Sequence, residues 1–193
     1  MNQIKVFGNR IPKDYFVTTG YGETDMGSGI DPWETGAYDL ALKSAQIENF
    51  NIVEYTSVLP PEAKQWPIDK VKHLFHHGAV LETIMASING YQYDHLCAGV
   101  GRIQVRRKSD KVHIGGFAAE YEGHAPEKKA KEILHNSLMG ICNRRYHPDE
   151  YEWFDERFDI INFDVSKKFG TALAAIGFVT YIYPQVPVPF GEE

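Results

Sequence analysis

Cysteine is nearly absent: Cys97 and Cys142 are the two in 193 residues, too few for a disulfide framework. No charged-then-apolar leader opens the sequence and no apolar run is long enough to span a bilayer, so the expectation is a cytoplasmic protein with free thiols and no membrane partner. Clustered positive charge is also missing. The chain carries 20 Lys and Arg against 26 Asp and Glu, for a net charge of −6, and "RRK" at 106–108 is too short to reverse that balance. A nucleic-acid partner, which needs cations gathered on one surface, is therefore not expected. There is no GxxxxGK[ST] phosphate loop and no GxSxG elbow, and the glycines of "GVGRIQ" do not open a helix. Internal repeats and low-complexity linkers are lacking, and a hydrophobic content of 43% suits one domain over 1–193.

What remains is an alternation of strand and helix patterns. "DYFVTTG" reads as a strand, and the Gly-rich stretch "TGYGETDMGSGIDP", 19–32, as a mobile surface loop. "ETGAYDLALKSAQI", 34–47, places Ala37, Leu40, Ala41, Ser44 and Ile47 at helical spacing, a small-residue stripe suited to close packing on a sheet. "NFNIVEYTSV" returns as a strand, and "IDKVKHLF" predicts one or two helical turns. "GAVLETIMASING", "HLCAGVGRIQVRR" and "VHIGGFAAEYEG" are expected as three neighbouring antiparallel strands, the last two joined across "KSDK" as a hairpin. The clearest helix is 125–146, with Ala130, Ile133, Leu134, Leu138, Ile141 and Cys142 on one stripe and Pro126 in its first turn. "FDIINFDV" and "GTALAAIGFVTYIY" are strands, the second so uniformly small and apolar that it should be central, and the Pro-rich tail after it cannot pair regularly. The fold class is α+β, mixed or antiparallel sheet layers faced by helices.

Four positions carry candidate chemistry, each with a plainer reading beside it. His73 and His77 would share a helix face at i, i+4, a spacing that holds metals, but no Cys pair or acidic ligand accompanies them, so surface histidines and no metal are expected. Glu120 and Glu122 flank Tyr121 and point to one face of a strand; they are either solvated or, for Glu120 after the apolar "GGFAA", half-buried and held protonated as an acid. Asp39 lies off the apolar stripe of its helix, which means solvent unless a second subunit covers it. In "EYTSVLPPEA", Thr56 and Ser57 end a strand before Pro60 and Pro61. They either bond locally to backbone, or Ser57 Oγ attacks the Thr56 carbonyl to give an ester whose β-elimination cuts the chain and leaves a pyruvoyl group at position 57.

"AYDLALKSAQIENFNIVEYTSVLPPEA", followed by "GGFAAEYEG" and then "KKFGTALAAIGFVTY", strongly resembles the pyruvoyl-dependent arginine decarboxylases, most of all their bacterial branch. That resemblance implies an αββα sandwich assembled as a trimer or a dimer of trimers, with active sites between subunits. It implies a cut between Thr56 and Ser57, giving a β chain of 1–56 and an α chain of 57–193 whose cofactor, a covalent pyruvoyl group, is made from Ser57. By the same resemblance Asn51 assists processing, Asp39 receives the substrate guanidinium and Glu120 donates the proton. The implied reaction turns L-arginine into agmatine and CO2, serving acid resistance or polyamine supply. Some relatives cut between two serines where this chain has Thr56 and Ser57. Three alternatives stand beside this reading: a pyruvoyl enzyme for another cationic amino acid, an unprocessed trimeric binding protein, and a hydrolase with Ser57 as a free N-terminal nucleophile.

Overall fold

The computed structural model describes residues 9–183. In chain order the strands are β1 (Ile11–Pro12), β2 (Asp14–Thr24), β3 (Asn51–Glu54), β4 (Val58–Leu59), β5 (Lys64–Gln65), β6 (Val80–Tyr91), β7 (His95–Arg107), β8 (His113–Gly123), β9 (Tyr151–Asp164), β10 (Phe169–Phe178) and β11 (Tyr181–Ile182). The helices are α1 (Asp39–Ser44), entered through a π-helical turn at Glu34–Tyr38, α2 (Ile68–Val71) and α3 (Glu127–Arg145).

Two sheets carry the fold. A five-stranded mixed sheet has the order β3-β6-β10-β2-β5, and a four-stranded antiparallel sheet has the order β4-β8-β7-β9. Alternation along each strand divides the side chains among three apolar layers. Tyr15, Ile84, Ala174, Ile176 and Phe178 from the first sheet meet Leu59, Val100 and Ala118 from the second, so the sheets pack face to face. On the outer face of the first sheet, Phe16, Leu81, Leu173 and Ala175 take Ala41 and Ala45 from the α1 segment. On the outer face of the second, Ile103, Val105 and Phe117 take Leu134, Leu138 and Cys142 from α3. Each fully buried leucine of that stripe contributes about 1.5–3 kcal/mol relative to exposure. Both cysteines are free and buried, as expected.

β10 is central, with every residue buried, and β7 and β8 form the expected hairpin. α3 also follows its predicted stripe, although Pro126 caps it rather than entering the first turn. Other expectations are corrected. Thr19 to Thr24 continue β2 instead of starting a mobile loop, because Gly20 and Gly22 are where α1 lies directly on the strand. A Cβ on either would come within 2.2 Å of a backbone oxygen, Ala41 O and Ala37 O respectively. The α1 helix ends at Ser44, where Gln46 turns to a φ of 62°. β6 does not pair with β7; it belongs to the other sheet and faces it across the core, with Ala86 against Leu96 and Ala98. The α2 segment tightens into a 3₁₀ turn at Lys72–Leu74 and becomes extended at Phe75, so His73 and His77 share no helix face. His77 Nδ1 instead meets Asn49 Oδ1 at 3.1 Å. The Pro-rich tail lies outside the described residues.

Candidate active site

The strand expected over 49–58 is broken, and the break falls at the hydroxyl pair. β3 runs parallel to β6 as far as Glu54, and the Tyr55 N–H then donates to the Thr83 carbonyl at 2.6 Å. Two residues later the chain is on the other sheet: the Ala118 N–H donates to the Ser57 carbonyl at 2.9 Å, and β4 continues antiparallel to β8. Thr56 is thus the crossing residue between an anchor on each sheet. Leu59, 1% exposed, fixes the second anchor in the core. The prolines then turn the chain back, with the Ala63 N–H on the Pro60 carbonyl at 3.0 Å, and β5 rejoins the first sheet beside β2. Neither Thr56 nor Ser57 has a positive φ. The bond between them is set by its two anchors rather than by left-handed backbone strain. Thr56 is exposed and Ser57 half-buried.

Glu120 stands on β8 two residues beyond Ala118, whose N–H holds Ser57. Strand alternation turns Ala118, Glu120 and Glu122 to the same face, the one toward the other sheet, whereas Phe117 and Ala119 face α3. In the lone chain the Glu120 side chain is exposed at the open end of that layer. Its carboxyl is nevertheless partly desolvated, and this burial, aided by repulsion from Glu54 and opposed by a bond to its own backbone, raises its pKa above the usual carboxylate range. Glu54 is the last β3 residue before the crossing, and it also adds to the burial that raises the Tyr38 phenol. Sequence reasoning missed Glu54 and the backbone anchors at Thr83 and Ala118. A glutamate in a polar strand and two unremarkable strand positions carry no local signal.

The other two expected residues lie at the start of α1 and at the start of β3. Asp39 is exposed at the first position of α1, in the outer helix layer, and makes no side-chain hydrogen bond or ion pair among the described residues. Asn51 opens β3, six positions before Ser57, and its Nδ2 donates to the Gly78 carbonyl at 2.9 Å. Within one chain Ser57 is bonded to the strand that carries Glu120, and the Glu54 charge reaches Glu120. The hollow of about 540 Å³ at Arg107, Lys108, Ser109, Asp149, Glu150 and Tyr151 lies at the turn of the β7–β8 hairpin and includes none of these residues.

The comparisons with known proteins bear on the family rather than on these residues. The family described as pyruvoyl-dependent arginine decarboxylase matches residues 14–183. This chain belongs to that family. It is 40% identical over 190 residues to the pyruvoyl-dependent arginine decarboxylase AaxB of Chlamydia trachomatis serovar L2, covering 91% of this chain and 94% of the relative. Its counterpart in Chlamydia muridarum is 40% identical over 192 residues, with the same coverage. The pyruvoyl-dependent arginine decarboxylase of Picrophilus torridus is 27% identical over 161 residues, covering 79% of this chain and 80% of the relative. The pyruvoyl-dependent arginine decarboxylases use a covalent pyruvoyl group, and the crossing fits one: Ser57 would supply its carbon skeleton, and the bond from the Ala118 N–H to the Ser57 carbonyl would hold it on β8.

Proposed function

We propose that this protein cuts itself between Thr56 and Ser57 and then decarboxylates L-arginine to agmatine and CO2. The observation that carries the reading is the suspended Thr56–Ser57 bond, anchored at Tyr55 on one sheet and at Ser57 on the other, with Glu120 on the strand that holds Ser57. The layer order of helix, sheet, sheet and helix supports the αββα sandwich that the resemblance implies. In the cut, Ser57 Oγ adds to the Thr56 carbonyl carbon, and the Ser57 nitrogen leaves to give an ester and a free amine. Loss of the Ser57 α-proton breaks the Cβ–O bond and releases Thr56 as a carboxylate. The dehydroalanine left at 57 takes up water and sheds ammonia, leaving a pyruvoyl end. The products are a β chain of 1–56 and an α chain of 57–193.

Once formed, that group supplies an electron sink for the carbon–carbon bond that breaks, the part pyridoxal phosphate plays elsewhere. The residues of the chain do the rest. Glu120, whose pKa is pushed up by burial and by Glu54, donates the proton that replaces CO2 on the substrate α-carbon. Asp39 accepts two N–H bonds from the planar guanidinium, and Asn51 orients the chain or substrate near the cut. Asp39 is exposed and takes no side-chain partner among the described residues, and Val53 (45% exposed) and Val58 (50% exposed) leave apolar surface on both sides of the crossing. Assembly as a trimer or a dimer of trimers, in which a neighbour covers that surface and completes the site, accounts for both. No helix of the described residues is long and apolar enough to cross a membrane, and a cytoplasmic location suits two buried free thiols.

Denaturing mass spectrometry of the freshly purified protein tests the cut. Two chains split after Thr56, the larger lighter by one ammonia than a serine start, are expected; an intact chain, or a free amine on Ser57, would overturn it. Incubation with a panel of amino acids should yield agmatine from arginine, and preferential turnover of ornithine, lysine or histidine would reassign the substrate.

A further inference from the structure

Glu82 is an acid in the wrong place. It lies on β6 between Leu81 and Thr83, is 4% exposed, and faces the layer between the sheets with Ile84 and Ala86. A carboxylate there is costly unless it is paired. Its partner is Arg10, from the segment that precedes β1, and its second oxygen, Oε2, is buried with no hydrogen-bond partner among the described residues. Arg10 does more than neutralise it. The guanidinium lies 5.0 Å from the ring centroid of Tyr181 and donates to the Tyr55 hydroxyl at 3.4 Å. Tyr55 is the anchor of the crossing. Its N–H ends on Thr83, the residue after Glu82, and its ring packs at 5.8 Å on Phe178, the register partner of Glu82 on β10. Backbone, ring and hydroxyl of Tyr55 therefore all end on the neighbourhood of one ion pair, whose carboxylate is buried and whose guanidinium is half exposed. The Arg10 side chain is 46% exposed, so the pair sits at the rim of the core, with the carboxylate inside and the guanidinium reaching out to Tyr55 and Tyr181.

We infer that the Arg10–Glu82 pair is a positioning clamp for self-processing: it fixes Tyr55 and thereby presents the Thr56 carbonyl to Ser57 Oγ. This rests on the proposed cut between Thr56 and Ser57. The pair also spans the future break, because Arg10 belongs to the β chain and Glu82 to the α chain. An attack across one peptide bond is sensitive to placement, and an error of about 1 Å is enough to slow such a step by roughly 100-fold.

The test follows the full chain after cell-free synthesis, with the uncut fraction read against time by denaturing mass spectrometry. Tyr55→Phe, which removes only the hydroxyl, should slow the cut roughly three- to tenfold. The double substitution Arg10→Met with Glu82→Met, which leaves no buried charge behind, should slow it by about 10- to 100-fold, and Arg10→Lys should recover most of the rate. Folding of each variant is checked by urea unfolding in a Ser57→Ala background, where no cut occurs. Wild-type cutting rates in both Tyr55→Phe and the double variant would overturn the clamp. So would slowing that follows stability in this background and is not rescued by Arg10→Lys. A cut at another bond in the parent protein, or none, would instead remove the processing site on which the clamp depends.

Discussion

Gly22→Ala tests the link between the packing of α1 and the chemistry. A Cβ at Gly22 would lie 2.2 Å from the Ala37 carbonyl oxygen, 2.6 Å from the Ala41 nitrogen and 2.6 Å from the Leu40 Cβ. These atoms bracket Asp39 in the chain. Two of the three are backbone, so no side-chain rotation relieves them; the helix must retreat by about 1 Å to restore ordinary contact distances. Overpacking of this kind costs about 1–3 kcal/mol, which lowers the Tm of a chain of this size by roughly 2–12 °C. If Asp39 holds the guanidinium, the same retreat moves it away from the substrate, and kcat/KM for arginine should fall by as much as ~100-fold. Cleavage should still go to completion, because the bonds that anchor Tyr55 and Ser57 run to Thr83 on β6 and Ala118 on β8, not to α1. Differential scanning fluorimetry, agmatine formation and chain masses read the three quantities separately. An unchanged Tm with unchanged kcat/KM would refute the close packing and the placement of Asp39 together; a lowered Tm with unchanged kcat/KM would refute only the role of Asp39.

Glu120→Gln should be cut normally but lose about 10²–10⁴ in kcat, the usual contribution of a positioned acid, and full turnover would remove Glu120 from the reaction. The raised pKa of Glu120 fixes the sign of its pH dependence: the acid form is lost as pH rises through the raised value, so activity should fall on that alkaline side. Stability behaves the same way, since the neutral form is favoured in the fold and the stability tied to it is lost as pH rises through the folded pKa. Glu54→Gln removes the like charge that helps raise Glu120, so the alkaline limb of the pH–rate profile should move to lower pH; an unmoved limb would assign the shift to burial alone. Leu138→Ala, in the fully buried contact of α3 with the second sheet, should cost about 2–5 kcal/mol by urea unfolding while leaving the position of the cut unchanged.

Much of the architecture is written in local pattern. β10 is uniformly apolar because it is buried on both faces, and the stripe of α3 faces the sheet that its spacing predicts. What pattern does not contain is the partner. β6 has the alternation of a strand whichever sheet it joins, so its place opposite β7 was invisible. Gly20 and Gly22 look like loop glycines until α1 is laid on them. The site divides in the same way. Ser57 and Glu120 stand out by residue type and neighbouring sequence, whereas the Glu54 charge and the Thr83 and Ala118 anchors belong to contacts between segments far apart in the chain.

If the chain cuts itself as proposed, the break between β3 and β4 would let it remain folded. The Tyr55 N–H and the Ser57 carbonyl are engaged on opposite sheets, so scission of the bond between Thr56 and Ser57 severs no ladder hydrogen bond. On the β-chain side of the proposed cut, β2 would stay inserted between β10 and β5, in register with β10 from Tyr15 to Thr24, and β3 would stay on β6. On the α-chain side, β4 stays on β8 with Leu59 in the core. Separating the two chains would require opening the five-stranded sheet beside its central strand, which amounts to unfolding it. A crossing between sheets is thus a place where a covalent bond can be given up at little structural cost, and where the new chain end is already held beside the acid that the proposed decarboxylation uses.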